Sequence, residues 1–165
     1  MTDRSRMLVP HLRLMVGAII IVALLAACGG SKPSSAGRPF AVGHRVETFT
    51  DTSRSTPANR SVPGHPGRAL VTTIYYPATG TPPRPAAGPF PLIVFAHGFT
   101  GQGSDYDALL SSWATAGYVV AAPDFPLSNR RAAGGPSVVD YFNQPADVSF
   151  VITAVSKLSA DHQSP

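Results

Sequence analysis

PLIVFAHGFTGQGSDYDALLSSWATAG, residues 91–117, decides how this chain folds. Pro91 to Ala96 is an apolar run without a polar interruption, the pattern of a strand buried on both faces of a parallel sheet. His97 to Gly103 follows as a glycine-rich turn. Ser104 then offers a helix N-cap, and Asp107 three residues later completes a capping-box pattern. Tyr106, Leu109, Leu110, Trp113 and Ala114 recur at helical spacing and predict one apolar face. Gly117 is placed to end the helix in the left-handed conformation. Tyr118 to Ala122 reads as the next buried strand, stopped by Pro123. Strand, turn, helix and strand make one βαβ crossover, which is right-handed by strong precedent.

The elements on either side of this unit are simpler. Val42 to Arg54 alternates polar and apolar residues and predicts an exposed first strand. Ala69 to Tyr76 is rich in β-branched and aromatic residues and predicts a second, closed by Pro77. Ser55–Gly67 and Thr79–Pro89 are Pro/Gly loops between them. After Pro123 comes a basic, glycine-containing loop, Arg130 to Pro136. Pro145 stands at a helix's favoured first position, and Val148, Val151, Ile152, Val155 and Leu158 form the apolar face of that helix. No internal repeat is present.

A strand ending in His97-Gly98-Phe99, a helix, then a strand ending Ala121-Ala122-Pro123-Asp124 resembles the early part of the α/β-hydrolase fold. Within that fold it is similar to the secreted branch of dienelactone hydrolase, platelet-activating-factor acetylhydrolase and chlorophyllase-like esterases. The resemblance covers roughly residues 42–158 and implies an α/β class. It implies two antiparallel edge strands, then two parallel strands with a crossover helix, then one more helix: an incomplete hydrolase sheet.

The same resemblance assigns roles. The turn after the strand supplies half of an oxyanion hole in this family. The Phe99 N–H is then the donor, with its ring lining the acyl pocket, and Thr100 is the next candidate. Gly98 lets backbone approach substrate, and His97 is a structural hydrogen-bonding residue rather than a base. The rest of the machinery is missing. No G-x-S-x-G nucleophile motif occurs, and none of the five His residues follows a nucleophile–acid pair. Asp124 is read as a loop hydrogen-bonding residue. The expectation is a truncated serine hydrolase of carboxylic esters, inactive as this chain, with a small ester as the parent's substrate and no metal or cofactor. Its missing neighbour strand would leave Leu92–Ala96 as an unprotected, aggregation-prone edge.

The N-terminal part carries a different message. Arg4, Arg6 and Arg13 precede an apolar run of about 14 residues, Leu14–Ala27, which fits a signal peptide and is short for a membrane span. Leu25-Ala26-Ala27-Cys28 resembles the bacterial lipobox, in which the Cys becomes the lipidated N-terminus. The expected layout is a lipoprotein signal peptide over 1–27, a flexible tether over 28–41 and the hydrolase portion over 42–165. An exported protein lipid-anchored through Cys28 at the outer face of the cytoplasmic membrane follows, since lipid chains bind a bilayer in proportion to their length.

Composition narrows the partners. The 165 residues allow one domain at most, and the formal charge is +4. Without Arg4, Arg6, Arg13 and Asp3, ten basic residues face eight acidic ones and no basic run remains, so nucleic-acid binding is not expected. Cys28 is the only cysteine, which excludes an intrachain disulfide and a Cys-based metal cluster. Two rival readings stand. Gly98, Gly101 and Gly103 between a strand and a helix, with Asp124 ending the next strand, echo a dinucleotide-binding fingerprint, although the glycine spacing departs from G-x-G-x-x-G. A non-catalytic lipoprotein module presenting a binding surface at the cell envelope is the other.

Overall fold

The computed structural model describes residues 39–160. The signal-peptide and lipobox readings, Cys28 included, lie outside the described residues. The sheet contains β1 (Ala41–Asp51), β2 (Arg68–Thr79), β3 (Arg84–Pro85), β4 (Leu92–Val94) and β5 (Val119–Asp124). The helices are α1 (Asp107–Thr115), preceded by a 3₁₀ turn over Gly103–Tyr106, and α2 (Gln144–Ala160), preceded by a 3₁₀ helix over Val138–Phe142. The strand order is β1-β2-β5-β4, with β3 pairing off β2. β1, β2 and β5 pair antiparallel, while β4 and β5 pair parallel, which is the expected mixed sheet.

Helices cover both faces. On one side Leu110 and Ala114 of α1 pack on Tyr75, Val120 and Ala122. On the other, Val151 and Val155 of α2 pack on Leu70, Ile74 and Ala121. Adjacent sheet residues divide between the two cores because side chains alternate along a strand. Each fully buried Leu or Val contributes roughly 1.5–3 kcal/mol of transfer free energy.

Several boundaries differ from the sequence expectation, each for a visible reason. Pro77 and Pro123 do not end their strands. Val119 N–H donates to the Pro91 carbonyl at 3.0 Å, and Phe95 N–H donates to the Ala121 carbonyl at 2.8 Å. Odd-numbered residues of β5 therefore face β4, and Pro123 falls beyond Ala121, the last β5 residue that β4 pairs with. Its absent donor is not needed there. By the same alternation Pro77 faces the space past β5, whose pairing with β2 stops at Tyr75, and only its carbonyl is used, by Ala86 N–H at 2.9 Å.

Ser104 is exposed and is not the cap. The Asp105 carboxylate instead accepts the Gln102 N–H at 2.9 Å, and the chain enters α1 through the 3₁₀ turn. Gly103 permits this path, because a Cβ there would lie 2.9 Å from the Ala122 Cβ. Gly117 ends α1 at φ 99°, as expected. Leu109 and Ile152, expected on apolar faces, are 42% and 45% exposed. In α2 the buried stripe is Asp147, Val151 and Val155, so a carboxylate takes the place the pattern assigned to an aliphatic side chain. β4 is half-buried rather than fully buried, since it is the edge strand.

Candidate functional site

The carboxyl end of β4 is where the family expectation places chemistry, and His97 holds it in place. Phe125 N–H donates to His97 Nε2 at 3.0 Å. An amide can only donate, so Nε2 carries the lone pair and Nδ1 carries the proton. Nδ1 then donates to the Gly98 carbonyl at 2.8 Å. The ring is 3% exposed and packs on Phe125 with centroids 4.9 Å apart. Both nitrogens are committed to backbone, which leaves no free base.

Beyond His97 the chain makes a tight turn. Gly101 N–H donates to the Gly98 carbonyl at 2.9 Å, and Thr100 sits at φ 62°. A positive φ at the third residue alone is the mark of a type II turn. A β-branched residue in that region is an outlier that clusters at functional sites. Thr100 N–H is spent on the Ser128 carbonyl at 2.8 Å. Phe99 N–H has no hydrogen-bond partner among the described residues, and its side chain is 41% exposed. No heavy atom outside residues 97–99 lies within 4 Å of the position a Cβ would take on Gly98, so the turn opens onto free space. Of the two amides singled out from the sequence, Phe99 keeps a free donor and Thr100 does not.

The turn is tied down from below. Asp124 at the end of β5 accepts Gly103 N–H at 2.8 Å and Gln102 Nε2 at 3.1 Å. This is the loop-organising role read from the sequence, with both Asp124 carboxylate oxygens engaged by the turn. Asp105 pairs with Arg130 from the following loop. The Gln102 amide, with Arg130 beside it, holds the Asp105 carboxyl below its ordinary value. Among the described residues no three His, Cys, Asp or Glu side chains come together as metal ligands.

One wall of the site was not anticipated. The 3₁₀ helix Val138–Phe142 brings the Tyr141 ring edge-on to Phe99, with centroids 6.1 Å apart. Val138, Val139 and Phe142 are also exposed, Phe142 to 89%. Behind this helix lies a buried ion network. Arg68 Nε and Nη2 grip Asp147 at 2.9 and 2.7 Å, and Nη2 also reaches Asp140 at 2.9 Å. Arg54 Nη2 lies 2.7 Å from Asp147 and its Nε lies 2.7 Å from Asp51. Burial works against the Arg68 charge, yet Asp147 and Asp140 together raise its pKa above the ordinary guanidinium value. The available signals were Arg68 opening a strand and Asp147 one helical turn before Val151; reading them as a pair required knowing that α2 lies over β2. A cavity of about 260 Å³ opens at the Val119 end of β5, lined by Tyr76, Phe90 and Leu158 among others, and none of the turn residues borders it.

The family model of platelet-activating factor acetylhydrolase, isoform II, matches residues 59–132, which span β2, β4, the turn, α1 and β5. Among solved structures, a ferulic acid esterase from Streptomyces cinnamoneus is similar at 24% identity and a TM-score of 0.48. That alignment covers 65% of this chain and 39% of the esterase, so the chain spans about two fifths of its length. No curated protein sequence matches the chain. The partial mixed sheet is α/β-hydrolase-like.

Proposed function

We propose that this chain is the oxyanion-turn portion of a serine hydrolase of carboxylic esters, and that it does not turn over ester by itself. The observation that carries the reading is the Phe99 N–H, left without a partner while the amides of Thr100 to Gly103 are all used, beside the open space at Gly98. During acyl transfer the carbonyl oxygen of the ester gains negative charge as the serine oxygen adds to its carbon. A pre-placed amide meets that charge without reorganising, and one such donor contributes roughly 3–4 kcal/mol to the transition state. The Phe99 and Tyr141 rings offer an apolar surface beside it for the acyl group. The serine, the acid and the catalytic His belong to polypeptide outside these 165 residues, because no G-x-S-x-G motif is among them.

We further propose export and lipidation at Cys28, which hold the protein at the outer face of the cytoplasmic membrane. Metabolic labelling with an alkyne fatty acid, lost in Cys28→Ala, tests the anchor. For the chemistry, the purified chain is assayed with p-nitrophenyl acetate and a fluorophosphonate probe. Neither turnover nor labelling is expected from the chain alone. Both are expected from a form extended through a downstream in-frame G-x-S-x-G, with turnover reduced when Phe99 is replaced by proline to remove the N–H. Turnover by the chain alone, abolished by the phosphonate, overturns the proposal. A coding sequence with no such motif downstream in any frame, and a monomeric chain with a cooperative melt, favour the non-catalytic envelope module instead.

A further inference from the structure

One buried carboxylate outside the turn is joined to both structures that frame it. Asp140 is almost wholly buried in the 3₁₀ helix. Its Oδ2 accepts Leu127 N–H at 3.0 Å. Its Oδ1 takes Arg68 Nη2 at 2.9 Å and Asn143 Nδ2 at 3.2 Å. From there two routes lead to the turn. Leu127, whose carbonyl is also held by Ser137 N–H at 2.7 Å, is followed by Ser128, and the Ser128 carbonyl receives Thr100 N–H at 2.8 Å. Asp140 is followed by Tyr141, whose ring rests on Phe99.

A type II turn carrying a β-branched residue at positive φ relaxes most simply by flipping its central peptide, here Phe99–Thr100. That flip swings the Thr100 N–H away from its acceptor. The Ser128 carbonyl is therefore the lock on the strained turn, and whatever fixes the Leu127–Ser128 segment fixes the lock. Within that segment Leu127 N–H is held by a side chain, and that side chain is Asp140.

We propose that Asp140, backed by Arg68, is a positioning residue that holds the Phe99–Thr100 peptide, next to the unpartnered Phe99 amide, in its type II form. Its functional meaning rests on the oxyanion reading above. The positioning itself is read without turnover, so the two can fail separately. The test is amide hydrogen exchange on the ¹⁵N-labelled full chain, comparing wild type with Asp140→Ala and the milder Asp140→Asn. The Thr100 amide is expected to exchange at least tenfold faster in Asp140→Ala and to a smaller extent in Asp140→Asn. The core amides of Leu110 and Val120 should accelerate less than Thr100 does, and the Phe99 ring resonances should shift. Tyr141→Ala, at a half-exposed side chain, should shift the Phe99 resonances while leaving Thr100 exchange within twofold. An unchanged Thr100 rate overturns the proposal. So does an equal acceleration at Thr100, Leu110 and Val120 in both Asp140 variants, which is what a merely structural carboxylate would produce.

Discussion

The backbone amide of Phe125 donates to the imidazole Nε2 of His97 across 3.0 Å. Val119 and Ala121, the preceding odd residues of β5, bond the backbone of β4's strip, and Pro123 has no donor to offer. Where the chain beyond β4 turns away, the side chain of His97 takes over the ladder. His97 thus substitutes for a strand, and the turn that follows is built from that bond outward.

His97→Ala should therefore act on stability first. It leaves the Phe125 N–H buried without an acceptor, a loss of about 1–3 kcal/mol, before any cavity term. His97→Gln, which can present a carbonyl oxygen to the same amide, should recover part of it. Urea denaturation of the three proteins measures both. Equal stability of wild type and His97→Ala would remove the role given to this side chain.

Arg68→Met should be far more damaging than its position at a strand end suggests. Asp140 and Asp147 are fully buried, and without Arg68 the first loses its cation and the second keeps only Arg54. Breaking such a network from one side costs about 3–5 kcal/mol. Replacing Asp140 and Asp147 by asparagine in the same background should restore much of that loss, because neutral amides tolerate burial better than unpaired carboxylates. The comparison needs only thermal melts of the single and triple variants.

Stability should fall at both ends of the pH range. The hydroxyl of Ser53, 2.6 Å from the Asp51 carboxylate, and then Arg54 hold the Asp51 pKa below 3.8. A depressed carboxylate stabilises the fold above its unfolded pKa, and this stabilisation is lost as pH drops below about 4. At the alkaline end burial, with Asp107 nearby, pushes the Tyr75 pKa up to about 12. The unfolded chain releases that proton near pH 10, so stability declines from about 10 toward 12. Denaturant midpoints between pH 3 and 7 should show a shallower slope in Asp51→Asn, and those between pH 9 and 12 a shallower slope in Tyr75→Phe.

The free edge of β4 should drive self-association. Leu92 and Val94 present their backbone groups away from β5, and no neighbouring strand meets them among the described residues. The opposite edge, β1, carries an Arg45–Glu47 ion pair; the Leu92–Val94 edge carries no charge. Charged edges resist pairing with other chains and bare apolar ones invite it. Val94→Pro removes a donor that the fold does not use and should lower light scattering of concentrated protein without shifting its circular dichroism. Unchanged scattering with an intact fold would point to another surface, the one around Phe142 being the next to replace.

The order of the main strands and helices, the parallel pair with its crossover helix, the Gly117 stop and the turn at His97–Gly103 were legible in the amino acids, whereas β3, inside the expected 79–89 loop, and the two 3₁₀ helices were not. The legible features are written in local periodicity and in glycines a few residues apart, so no distant partner is needed to read them. What the tertiary structure alone decided are relationships across long separations. Pro77 and Pro123 could continue their strands only because the neighbouring strand had already ended on that side. Leu109 and Ile152 faced outward because Leu110 and Ala114, and Asp147 and Val151, claimed the inward side of their helices. Asp147 went inward because Arg68, 79 residues earlier, was waiting there. That the Thr100 amide of the turn is taken was settled by the carbonyl of Ser128, a residue whose place beside Thr100 no local pattern encodes.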